Sequence, residues 1–351
     1  MTAPRALCFV VPEGVDDPLR ASGGNVYDLR VAAGLSARGW DVRIMQTDAS
    51  AAASALSTLP AQALVLVDGL VAGAVPAVVE REAQRLRIVV LAHMVSAAFP
   101  GADPRSVEGE RRALRAARSV ITTSEWTRAE LTGREGLPPE RVAVALPGTA
   151  AAPVTSGTAT GGALLCVGVV AAHKGQDVLV DALRMLDPHP RWRCTIAGSL
   201  AASPAFADRV ARSVVDAGLA DRIAMVGVLD GPALDSVYAR ADLVVAPSRV
   251  ESYGMVVADA LGRGIPVVAS AVGGIPQTVA GSRGAVLVPP GDAVALSRAL
   301  GRWMDDPAWR ACLRDAALRT RSALPRWNDT VDRVEAALAS VRHEDLFAWP
   351  P

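Results

Sequence analysis

Short runs of Val, Leu, Ile and Ala alternate along this chain with longer stretches in which apolar residues recur at helical spacing. Runs too short for helices, separated by amphipathic segments, are the pattern of βαβ units whose parallel strands are buried on both faces. The runs predict strands at 6–11, 42–46, 63–68, 88–92, 120–123 and 142–146. A second series follows at 163–167, 194–197, 223–226, 243–246, 267–269 and 285–288. Between the series lies 147–162, built largely of Gly, Ala, Ser, Thr and Pro without a charged residue, which reads as an interdomain linker. The expected fold class is α/β: two Rossmann-like, doubly wound parallel-sheet domains facing across a cleft. Their expected bounds are 1–150 and 151–325, with 326–351 a helical segment that crosses back to the first domain. In this segment 328–341 is amphipathic and has no strand to serve.

The chain's 351 residues exceed what one core usually holds, and 51% apolar against 21% charged residues suffices for two large ones. Formal net charge is zero, which removes the usual reason to expect a nucleic-acid partner. No apolar stretch is long enough to span a bilayer, and no signal-peptide layout precedes the first strand, so the expected location is the cytoplasm. Cys8, Cys166, Cys194 and Cys312 lack the paired spacing of a zinc site or a disulfide framework and read as buried thiols. There are four histidines and no Asp-x-Asp pair, so no metal cofactor is expected.

In open parallel sheets ligands bind beyond the carboxyl ends of the strands, and the candidate residues cluster there. Among thirty-six cationic side chains only Lys174 is a lysine, and it follows directly on the strand at 163–167. An ammonium is a compact point charge suited to a phosphate, where a guanidinium is a wide fork. Gly23-Gly24 opens a helix expected over 25–38, and His93 follows the strand at 88–92, where its ring or carbonyl can meet a reacting sugar. After the strand at 243–246 comes Pro-Ser-Arg-Val-Glu-Ser-Tyr-Gly-Met-Val-Val-Ala-Asp. Glu251, Ser252 and Tyr253 fall in its loop, and Gly254, Met255 and Val256 fall at the next helix start, where amides can meet a diphosphate. Asp259 lies one turn further, within reach of ribose hydroxyls. The turn Gly273-Gly274-Ile275-Pro276 follows the next strand, and the arginine-rich stretch 105–118 reads as the solvated side of a helix.

In this order and spacing, these pieces resemble the retaining glycosyltransferases of the GT-B fold, family 4, over nearly the whole chain. Also part of the likeness are 35–42, 120–130, Pro147-Gly148, Ala241-Asp242 with Pro247-Ser248, and 284–291. The resemblance implies that the second domain binds a nucleoside-diphosphate sugar, UDP- or GDP-linked, with no other cofactor. Lys174 matches the lysine of the family's Gly-Arg-x-x-x-x-Lys-Gly string, whereas Val169 stands at the arginine position. Amides of Gly254 and Met255, or Arg249, are the expected replacements. The family's Glu-x7-Glu motif is here Glu251-x7-Asp259.

The implied catalytic residues are His93, Lys174 and Glu251. Those implied at the donor are Gly23, Gly24, Lys174, Glu251, Ser252, Tyr253, Gly254, Met255, Val256 and Asp259. The implied reaction is metal-independent transfer of the sugar to an acceptor hydroxyl with retained configuration, by attack on the face the diphosphate leaves. The acceptor is a small molecule or a lipid, with 95–99 a possible apolar lining, and donor binding is expected to close the domains about the linker. A nucleotide-sugar 2-epimerase, or a binding subunit that has lost catalysis, shares the architecture.

Overall fold

The computed structural model describes residues 5–20, 22–186 and 192–343. The chain divides into two compact units: Met1–Asp16, Gly23–Gly148 and Pro325–Pro351 form the first, and Asp17–Ser22 with Thr149–Leu324 form the second.

The first unit contains strands β1 (Arg5–Pro12), β2 (Trp40–Thr47), β3 (Leu64–Asp68), β4 (Arg87–Ala92), β5 (Ser119–Thr122) and β6 (Val142–Val144). They form one parallel sheet in the order β2-β1-β3-β4-β5-β6. Central strands such as β3 are buried along their whole length, as the covering of both faces in the sheet interior requires, whereas the edge strand β2 is largely exposed or half-buried. β6 stops two residues short of its predicted end. The carbonyls of Ala145 and Leu146 are taken instead by the Tyr27 and Thr330 hydroxyls, at 2.9 and 2.7 Å.

The helix Trp327–His343 belongs to this unit. Val331, Val334, Leu338 and Val341, spaced three, four and three residues apart, pack with Tyr27, Val31 and Leu35 of the helix Gly23–Ala37 in one buried cluster. Its polar flank is tied down by Arg38, which donates to Asp332 and Glu335, and by the Trp40 indole N–H on Glu335 at 3.1 Å. The Trp40 bond, partly opposed by burial and joined by the Arg38 bond, holds the Glu335 carboxyl below its ordinary range.

The second unit contains β7 (Ala163–Val167), β8 (Arg193–Ala197), β9 (Ile223–Gly227), β10 (Leu243–Ala246), β11 (Val267–Ser270) and β12 (Ala285–Val288). Their parallel sheet has the order β12-β11-β10-β7-β8-β9, so the strand order reverses between β7 and β10.

The segment 147–162 is not a free linker. Asp242 is fully buried and accepts hydrogen bonds from the Thr158 amide at 2.6 Å, the Thr158 hydroxyl at 2.5 Å and the Ala163 amide at 2.8 Å. The Arg314 guanidinium donates to the same carboxylate at 2.9 Å and to the Ser156 carbonyl at 2.7 Å. A buried carboxylate needs several donors to offset its lost hydration, and the uncharged segment supplies them from its backbone and a hydroxyl. The thiols also differ from expectation: Cys166 and Cys194 are buried, Cys8 is half-buried, and Cys312 is exposed on the helix Pro307–Thr320. Among the described residues no helix is long and apolar enough to cross a membrane.

Replacing Asp242 with Ala removes the acceptor from the Arg314 guanidinium and from three further donors, the Thr158 amide and hydroxyl and the Ala163 amide. The substitution is expected to cost about 3 kcal/mol of stability, read as a lower denaturant midpoint by circular dichroism.

Candidate active site

In the second unit the strand order reverses between β7 and β10, and the helices that follow these strands pack in separate clusters, so the loops leading to them part at the sheet's carboxyl edge, where ligands bind in open parallel sheets. Lys174 ends the short 3-10 turn Ala172–Lys174 after β7, and Glu251 lies in the loop after β10. The Lys174 ammonium donates to Glu251 Oε2 at 2.5 Å, and the Ser248 hydroxyl reaches the same oxygen at 3.5 Å. The two side chains are 23% and 19% exposed, so the pair is shielded yet reachable from solvent. The loops are also joined through their backbones, since the His173 carbonyl accepts from the Arg249 amide at 2.7 Å. Burial, and after it the neighbouring ammonium, lowers the His173 pKa, so this ring stays neutral beside Lys174.

The helices that follow β7 and β10 are both opened by glycine in the left-handed region. Gly175 has φ 71° ahead of Gln176–Met185, and Gly254 has φ 90° ahead of Met255–Gly262. Neither supplies a side-chain cap, whereas Asp68, Asp103, Ser124, Asp230, Asp292 and Asp306 each cap their own helices. The first-turn amides of a helix have no intrahelical acceptor, so these starts have the geometry an anion can use.

Met255, Val256 and Asp259 are half-buried along the first turn and a half, and Tyr253 is buried, which pushes its phenol pKa up. Gly273 and Gly274 hold this loop from behind. The Gly274 amide donates to the Glu251 carbonyl at 3.0 Å, and a β-carbon at Gly273 or Gly274 would collide with the carbonyl of Glu251 or Ser252. Arg249 does not replace the missing arginine at Val169. Its guanidinium is engaged in a fork on Asp177, with bonds of 2.7 and 2.8 Å that raise its pKa.

In the first unit, His93 follows β4 and Gly24 lies against its ring. The helix begins at Gly23, two residues earlier than expected. His93 Nε2 is 2.8 Å from Asp28 Oδ1 and 3.4 Å from Asp68 Oδ2. Tyr27 stacks edge-on to the imidazole at 5.2 Å, and the Thr123 hydroxyl donates to the His93 carbonyl at 3.4 Å. Asp28 and Asp68 are almost wholly buried, and Asp28 Oδ2 has no hydrogen-bond partner.

Burial alone would pull the imidazole pKa down, but Asp28 and then Asp68 outweigh it and raise it above the ordinary value. Burial pushes the Asp68 carboxyl up to about 6, against the pull of His93. The ligand-type atoms of this trio lie within 4.8 Å of one another, compact enough for a metal ion, although the Nε2 to Oδ1 distance is equally that of a shared proton.

Lys174, Glu251, Ser252, Tyr253, Gly254, Met255, Val256 and Asp259 therefore gather in the second unit, and Gly23, Gly24 and His93 in the first. Asp28, Asp68 and Asp177 escaped the sequence reading. A trace of Asp28 was there, as a lone carboxylate next to Tyr27 on the apolar stripe of a helix, and of Asp68, as the last residue of a strand before glycine. Of the proposed apolar lining 95–99, Val95 is buried in the first unit's core, and the Ser96 amide donates to Glu110.

Residues 159–320 match the family model described as Glycosyl transferases group 1. The chain is 30% identical over 269 residues to D-inositol 3-phosphate glycosyltransferase 1 of Catenulispora acidiphila, covering 70% of this chain and 63% of the relative. It is 34% identical over 178 residues to the lipopolysaccharide core biosynthesis mannosyltransferase LpcC of Rhizobium leguminosarum bv. viciae, covering 50% and 49%. The chain thus spans under two thirds of the length of these curated relatives. Among solved structures, sucrose-phosphate synthase from Thermosynechococcus elongatus has a TM-score of 0.80 at 21% identity, covering 97% of this chain and all of that one. Anabaena HepE, solved in complex with UDP and glucose, has a TM-score of 0.77 at 16% identity, covering 95% and 99%. The fold is that of the GT-B glycosyltransferases, and the second unit carries the stretch that matches group 1.

A carboxyl whose folded pKa is raised gives stability that is complete below its unfolded pKa and is lost as pH climbs through the folded one. Asp68 should therefore erode stability between its ordinary 3.8 and about 6. Asp68→Asn, which keeps the helix cap, should flatten the melting-temperature profile across that window in differential scanning calorimetry.

Proposed function

We propose that this chain transfers a glycosyl group from a nucleoside-diphosphate sugar, UDP- or GDP-linked, to a hydroxyl of a small-molecule or lipid acceptor. The reaction retains anomeric configuration, in the manner of glycosyltransferase family 4. The observation that carries this reading is the Lys174–Glu251 pair, held at 2.5 Å beside the uncapped start of Met255–Gly262. A shielded ammonium next to open amides is matched to a diphosphate, and a carboxylate on the same loop is matched to sugar hydroxyls. The names of the relatives, glycosyltransferases and mannosyltransferases, and the UDP and glucose in the HepE structure, support the same donor class.

On this reading the ammonium moves from Glu251 toward the diphosphate as the donor binds, and Glu251 turns to the sugar it has been released to hold. Charge builds on the departing diphosphate, where Lys174 and the helix amides stabilise it without reorganising at the moment of transfer. Asp259, one turn into the helix, takes the ribose hydroxyls in place of the family's longer glutamate. No side chain of the set is assigned as a covalent nucleophile. The acceptor attacks on the face the leaving group vacates, and a leaving-group oxygen helps to take its proton. The reading assigns no metal to the reaction, and places the enzyme in the cytoplasm, where its free thiols stay reduced.

Lys174→Met should lower transfer by about a hundredfold or more with the melting temperature unchanged, since a lost electrostatic donor costs of that order. In a thermal-shift panel of nucleoside diphosphates the parent should be stabilised by UDP or GDP and the variant much less. Parental turnover by Lys174→Met, or a panel in which no nucleotide shifts the parent, contradicts the assignment.

A further inference from the structure

The trio in the first unit has a feature that the transfer reading does not use. Both carboxylates approach the same edge of the His93 ring, with Asp28 Oδ1 and Asp68 Oδ2 at 2.8 and 3.4 Å from Nε2. An ionised carboxylate only accepts, so Nε2 carries the proton and Nδ1 is the nitrogen left to meet a ligand. Nothing about this edge is loose. Asp28 sits on Gly23–Ala37 with 1% of its side chain exposed. Asp68 is fixed by bonds from the Leu70 and Val71 amides, and Tyr27 closes one side of the ring. The imidazole is the solvent-facing member at 13% exposure. The cluster sits where the first sheet's strand order reverses, since β3 and not β2 follows β1 across the sheet.

We propose that Asp28 and Asp68 are positioning residues for His93, which pin a proton on Nε2, lock the ring plane and so present Nδ1–H to an oxygen of the bound substrate. The proposal rests on the glycosyl-transfer reading for what that oxygen belongs to, an acceptor or sugar hydroxyl, but the placement of the protons does not depend on it. Two buried carboxylates favour the imidazolium, and an imidazolium has no lone pair with which to take a proton. His93 thus acts as a hydrogen-bond donor and not as the general base. This agrees with a mechanism in which the leaving group takes the acceptor's proton. The titratable groups packed on the ring are Asp28, Asp68 and the Tyr27 phenol, and the phenol donates to the Ala145 carbonyl and is pushed far up by burial.

Four histidines make the full chain tractable for long-range 15N–1H correlation of imidazole nitrogens. In the parent at neutral pH, His93 should show both nitrogens protonated and titrate above the ordinary histidine range. Asp28→Asn should drop that titration by about one unit or more and move the alkaline limb of the kcat profile to lower pH. Asp68→Asn, which keeps the helix cap, should produce a smaller shift in the same direction, so the proposal stays testable if Asp28→Asn folds poorly. A His93 that is neutral at pH 7, whichever nitrogen keeps its proton, or whose titration ignores both substitutions, overturns the proposal. So does broadening of the His93 signals by equimolar Mn2+ that Asp28→Asn abolishes, which would make the cluster a metal site. Absence of transfer with any donor would defeat the functional reading alone, because the imidazole spectra decide the proton placement without it.

Discussion

Everything at the candidate donor site depends on a constraint of parallel sheets: the two strands at the order reversal send their following loops to opposite faces, so the loops part at the carboxyl edge. In the second unit β7 and β10 are that pair. A gap lined by backbone is costly unless its polar groups find partners, and here they are found across it, from the Arg249 amide to the His173 carbonyl and from Lys174 to Glu251. The crevice therefore keeps its shape without a ligand while leaving two helix starts uncapped. Aspartate or serine at Gly175 or Gly254 would satisfy those amides from within and spend the dipole on the protein itself.

Charge placement follows the same economy. The chain uses arginine almost everywhere a cation serves structure: Arg314 on Asp242, Arg38 on Asp332 and Glu335, Arg249 on Asp177. Each is a guanidinium meeting a carboxylate, and each spreads its donors over more than one acceptor atom, Arg249 as a fork on both oxygens of Asp177, so that moving it breaks several bonds at once. Lys174 makes a single-atom contact with Glu251 and can leave it by rotating. A residue that must give up one anion for another is better served by an ammonium, which gives a physical reason for the single lysine.

Much of this architecture is legible in the residues, because parallel strands buried on both faces must be continuous apolar runs, and such runs survive any choice of surface. The string from Pro247 to Asp259 is legible for a related reason: its glycine, its acid and its helix start stand at fixed spacing after a strand. What could not be read is pairing across the fold. The Arg249 side chain looked available to a diphosphate until Asp177, seventy-two positions away, was seen to hold it. The segment 147–162 reads as a tether because it has no charge, yet an uncharged, hydroxyl-bearing strand is what a buried Asp242 requires as its donor set. Likewise Asp28 and Asp68 are forty positions apart and meet only through His93, so no local pattern could join them.

The two polar clusters solve opposite problems with the same groups. In the second unit one carboxylate holds one ammonium, and both are partly open, so the pair can be parted by an incoming anion. In the first unit two carboxylates hold one imidazole, and all but the ring edge is buried, so separating them would strand charge in a medium that cannot solvate it. The first arrangement suits a cation that must travel and the second a donor that must not. Since coulombic attraction strengthens and screening weakens as burial deepens, depth in the fold, more than residue type, divides the mobile charge from the fixed one.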